Sequence, residues 1–189
     1  MTDPLHPGSG FVFMKVGTHA QEPLDAIIER KRREIDEAGY ALWGYGGNTC
    51  HPKTMVQPFA RDFVEREGTI YLCMQSMDSR HFAITERAVE YSEDGENWGE
   101  IPEPISVIGS RYALKIADLQ PDDFTVPLAQ TTVAIGNQTG RPGDRYIKGR
   151  VDKACLELLD DEAEGSEGAA EAQIDLVARL ADPYAVFVR

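Results

Sequence analysis

Residues 11–23 read FVFMKVGTHAQEP, and this stretch decides the fold class. Phe11 to Val16 is an apolar, aromatic and β-branched run broken only by Lys15, which predicts a central strand. Gly17-Thr18-His19-Ala20-Gln21 predicts a turn. Glu22-Pro23 then opens a helix, with acid and proline at its start and Gly39 at its end. Leu24, Ile27, Ile28, Ile35 and Ala38 form the helix's apolar line. Arg30-Lys31-Arg32-Arg33, bracketed by Glu29 and Glu34, reads as a solvated charged face.

Outward from this unit, Tyr40–Trp43 predicts a short strand, Pro58–Glu67 a short helix and Thr69–Met74 a second firm strand. Further strands are expected over residues 80–85, 104–108, 111–116, 126–135 and 146–151. Ala154, Cys155, Leu158 and Leu159 have helical spacing after an Asp152 cap, and residues 173–180 read as helix as well. Tyr184–Val188 reads as a last strand. Ser92-Glu93-Asp94-Gly95-Glu96-Asn97-Trp98 resembles the Asp-box hairpin, with Asp94-Gly95 in the turn, and one copy implies a hairpin alone. The expectation is an α+β fold with a mixed or barrel-like sheet of about five to seven strands and three or four helices. A flexible lead over residues 1–10 precedes a single domain over 11–189, with an acidic mobile segment near 160–170.

The order of strand, helix, aromatic loop and successive strands resembles the small PUA-like barrels. That resemblance implies a barrel with helices across its opening and a pocket, lined by aromatics, for a modified base or RNA. It is a likeness of architecture only.

Composition narrows the function classes. The 189 residues carry 19 Lys and Arg against 32 Asp and Glu, a net charge of −13. Such a field repels long duplex nucleic acid, whose binding requires several phosphate-neutralising cations. From Arg141 to Lys153 five basic groups face two acids, whereas Glu157–Asp175 holds eight acids and no base. No apolar run is long enough to predict a membrane span. Three cysteines do not make a disulfide framework, and a cytoplasmic setting is expected.

Residues 40–52, YALWGYGGNTCHP, are the richest in chemistry. Glycines allow close approach of main-chain N–H groups, and Trp43 and Tyr45 offer faces for a planar ring. Neither a Walker A nor a dinucleotide fingerprint is present. Cys50 and His51 suggest a nucleophile and base, with His81 or His19 as the partner brought in by the fold. The cysteines and histidines lack the paired spacing of a zinc site, and no cofactor or metal is expected. Lys15, at the exit of the first strand, and Arg141 and Arg145, in the GNQTGRPGDRYIKGR segment, are candidate anion contacts.

The resulting expectation is a non-catalytic binding domain for a small planar anionic ligand such as a nucleotide or modified base. Trp43 and Tyr45 would meet the ring, Asn48 its edge, and Lys15, Arg141 and Arg145 the charged end. One alternative is a hydrolase or transferase using Cys50, His51, His81 and His19. Another is an acidic interaction module that binds a basic partner protein or a second copy of itself.

Overall fold

The computed structural model describes residues 4–46, 51–81, 86–148, 151–160 and 170–189, with the side chains of 79–81 excepted. The fold is α+β, built on a mixed sheet. Its strands are β1 (Gly10–His19), β2 (Ala41–Gly44), β3 (Tyr71–His81), β4 (Glu90–Ser92), β5 (Gly99–Glu100), β6 (Tyr112–Ile116), β7 (Gln120–Pro127), β8 (Thr131–Val133), β9 (Lys153–Leu158) and β10 (Glu171–Val188). The helices are α1 (Leu24–Ala38), α2 (Lys53–Glu67) and α3 (Gly143–Tyr146). Seven strands form the continuous path β2-β6-β10-β3-β1-β9-β8, while β4, β5 and β7 pair off it. Because β2 and β8 end that path, the sheet is open, which corrects the barrel-like and PUA-like expectations.

β1 and β3 run parallel from Phe11↔Tyr71, and β9 flanks β1 antiparallel. Val12, Leu72, Met74 and Cys155 face one cluster with Val56, Ala60 and Phe63 of α2 and Ile27 of α1. Phe11, Phe13, Cys73, Ala154 and Leu156 face a second cluster on the sheet's other side, with Val126, Leu128 and Ile174. Strands buried on both faces read as continuous apolar runs, as FVF and YLCM do. Both long helices end at a glycine in left-handed conformation, Gly39 and Gly68, each at φ 83°.

Several expected elements differ. Residues 153–158 form β9 and residues 171–188 form β10, which puts strand where helices are expected over 152–159 and 173–180, while the strand expected over 184–188 is the end of β10. In β9 both faces are covered, so apolar residues fall at every position from Ala154 to Leu156 and mimic helical spacing. In β10, Ala172 and Ile174 join the second cluster, whereas Leu176, Ala178 and Leu180 join the first. A register irregularity between Ile174 and Leu176 accompanies this change of face. It breaks the alternation and leaves Ile174, Val177 and Ala178 at helix-like intervals.

Helix α2 begins at Lys53 rather than Pro58, which lies inside it. Residues 104–108 are irregular apart from a bridge between Ile108 and Arg87. Residues 143–146 form α3, where the expected strand over 146–151 would begin, and 149–150 lie outside the described residues. Most of the strand expected over 80–85 also lies outside them. From Pro4 onward, the N-terminal lead packs on the sheet: Leu5 is buried in the second cluster and the Gly8 N–H donates to Leu158 O at the end of β9. The acidic residues 161–169 lie outside the described residues.

Candidate functional site

A cleft of about 380 Å³ opens where β1, β2 and the start of α1 meet the 106–110 segment and the start of β9. That is within the ~300–1,000 Å³ typical of small-molecule sites. Lys15, His19, Trp43 and Tyr45 all line it. A register shift between Val16 and Thr18 ends the regular pairing of β1 at the cleft. The turn that follows closes through reciprocal backbone bonds between His19 and Glu22, with Ala20 at φ 48° and Gln21 at φ 67°. Non-glycine residues at positive φ store strain, and such strain concentrates at functional sites.

Strand alternation sorts the cations of the cleft. Met14 and Val16 belong to the cluster that contains Trp43, and Lys153 is the cross-strand partner of Met14. Lys153 therefore projects to the Trp43 side of the sheet. Lys15, in the middle of β1, is one residue out of phase, yet it too is among the residues that line the cleft. Its ammonium has no hydrogen-bond or ion-pair partner among the described residues. Lys153 Nζ lies 3.0 Å from Asp152 Oδ1, its neighbour in the chain. Arg30 and Lys31, assigned from sequence to a solvated face, also line the cleft. Both are committed: Arg30 to Glu22, Glu34 and Ser106 O, and Lys31 to Glu34, Leu42 O and Ser106 O.

These interactions set local charge states. The Arg30 guanidinium holds the Glu22 carboxyl below its ordinary pKa, against the effect of burial. Burial pushes the Lys31 ammonium down to about 8, with Glu34 opposing.

The aromatic loop behaves differently from its sequence reading. Tyr45 is 1 % exposed and packs against Tyr112 with ring centroids 5.5 Å apart. The N–H groups of Tyr45 and Gly46 both donate to Tyr112 O, so they are spent inside the protein. Gly44 lies against Ser110 and Gly46 against Tyr112, so these glycines serve chain packing. Trp43, 5 % exposed, lines the cleft from the end of β2. Asn48 and Cys50 lie outside the described residues, as does the side chain of His81.

His51 is a core histidine. It is 7 % exposed, stacks on Tyr146 at 5.8 Å between centroids, and its Nδ1 lies 3.5 Å from the Cys155 N–H. The Tyr112 hydroxyl donates to its carbonyl. Burial lowers the pKa of its imidazole. His51 is not among the cleft-lining residues, whereas His19 is, with Nε2 donating to Ile108 O at 2.9 Å. Arg141 and Arg145 are exposed and do not line the cleft; Arg141 bonds Gln138 at 2.9 Å.

Lys153 is the functional candidate that sequence reading missed. A helix assigned to 152–159 hid the strand register that sets it opposite Met14. Among the described residues, no group of three or more His, Cys, Asp or Glu is placed to hold a metal ion. No described helix is long and apolar enough to cross a membrane. Comparison with protein-family models, with curated proteins and with solved structures gives no match.

Proposed function

We propose that the protein is a non-catalytic binding domain for a small planar anionic ligand such as a nucleotide or modified base, taken into the β1–β2–α1 cleft. The observation that carries this reading is the placement of Trp43, Lys153 and Lys15, the last without a partner among the described residues, on one cleft in a chain of net charge −13. The indole borders the space for a ring, and the ammonium groups supply charge-assisted donors for a phosphate or carboxylate. Arg141 and Arg145 have no part in this version of the site.

Calorimetric titration with AMP, CMP and the corresponding free bases tests it. Lys153→Gln and Lys15→Gln each weaken nucleotide binding by about 1–2 kcal/mol and leave the neutral bases unaffected. Arg141→Ala and Arg145→Ala leave both unchanged. Absence of binding by every probe, or equal loss in the arginine variants, overturns the reading.

A further inference from the structure

The cleft wall at residues 106–110 belongs to no strand, and side chains of α1 hold it in place. The Ser106 N–H donates to Glu34 Oε1 at 3.1 Å, and Ser106 O accepts from Lys31 Nζ at 2.7 Å and Arg30 Nη1 at 3.0 Å. Lys31 Nζ also donates to Leu42 O at 2.6 Å, one residue before Trp43. A single ammonium thus ties the β2 wall of the cleft to the 106–110 wall. Glu34 anchors it with Oε2 at 2.9 Å and is itself only 1 % exposed, Lys31 3 %. His19 holds the same segment two residues further on, through Ile108 O.

A buried ion pair contributes little net stability compared with apolar residues of the same volume, because desolvation offsets the attraction. What this one supplies is geometry. Three α1 side chains satisfy both backbone groups of Ser106, a residue with no strand ladder to satisfy them. We infer that Lys31 and Glu34 are positioning residues: they set the spacing between the Trp43 wall and the 106–110 wall and thereby the affinity of the cleft. This inference rests on the proposed binding function, because it assigns to buried groups a role in that same site.

The test is the Lys31→Met/Glu34→Leu double variant of the full chain, which exchanges both charges for apolar groups. Three quantities are measured: urea midpoint, residue-resolved amide exchange, and AMP and CMP affinity. The expected result is a folded protein whose midpoint stays near the wild-type value and whose β1, β3 and β10 amides keep their protection. Exchange at 106–110 accelerates about tenfold or more, and nucleotide affinity falls about tenfold. A folded variant with unchanged exchange and affinity overturns the inference. Should the double variant fail to fold, Glu34→Gln is read by the same exchange measurement. Acceleration confined to 106–110 then supports positioning, and a global or absent change refutes it. If the wild-type protein binds neither nucleotide nor free base, the binding function falls, whereas the exchange pattern still decides whether the pair positions the wall.

Discussion

Single residues around the cleft carry sharply different constraints. A Cβ on Gly46 would lie 2.9 Å from the Tyr112 backbone nitrogen and closer still to its ring. Gly46→Ala therefore destabilises by about 2 kcal/mol through overpacking, measured as a shift in urea midpoint. Ala20, at φ 48°, is the opposite case. Left-handed backbone costs an L-residue about 1–2 kcal/mol, so Ala20→Gly is neutral or stabilising by up to about 1 kcal/mol. In an ordinary loop the same change destabilises. His51 supplies a pH dependence. Burial lowers its folded pKa, so the unfolded chain binds more protons just below the ordinary imidazole value of about 6.5. Its contribution is complete above that value and is lost as pH falls through the interval between unfolded and folded pKa. The wild-type urea midpoint should accordingly fall more between neutral and mildly acidic pH than that of His51→Gln. Equal falls in the two proteins would show that His51 does not control this transition.

Among the elements, β10 carries the most consequence, pairing with β7, β3, β6 and β4. Ile174 is fully buried, and Ile174→Ala costs about 3 kcal/mol. Arg179 is exposed and makes a surface ion pair with Asp118 at 3.3 Å, so Arg179→Ala changes stability by less than about 1 kcal/mol. Urea unfolding of the two variants checks the contrast. The same strand shows where sequence legibility ended. β1, α1, β2 and β3 were readable because FVFMKV and YLCM are short apolar runs and α1 has a full amphipathic line with a glycine stop. The Asp94-Gly95 hairpin was readable too: Asp94 accepts from the Glu96 and Asn97 amides, and Trp98 Nε1 donates to Gly95 O. β9 and the part of β10 before Tyr184 were not, because burial on both faces and a mid-strand change of phase erase the two-residue period; the end of β10 over 184–188 did read as a strand. That error hid Lys153. The roles of Arg30, Lys31 and Glu34 were hidden for another reason: a charged helix face looks solvated until the 106–110 segment is known to cover it. Trp43, Tyr45, Lys15 and His19 stand out locally as an aromatic strand end and a polar strand exit, and all four line the cleft, although Tyr45 is buried against Tyr112.

Over the whole molecule, charge dominates. With 32 acids against 19 bases, the excess negative charge repels itself in the compact native state, and the unfolded chain spreads the same charge over a larger volume. Salt screens such repulsion over a Debye length of about 10 Å at 0.1 M. The urea midpoint should therefore rise as sodium chloride is increased from low to physiological concentration. Binding responds on a smaller scale. Among the described residues, Lys15 has no ion-pair partner and Lys153 pairs only with its neighbour Asp152, so a nucleotide meets about two ammonium groups. The slope of log affinity against log salt should then be no steeper than about −2, whereas a protein that neutralises six to ten phosphates shows a slope several times larger. Titrations of AMP across a salt series measure it. A steep slope would mean that cations beyond the cleft, Arg141, Arg145 and Lys148 foremost, engage the ligand, and the charged end of the site would have to be redrawn there.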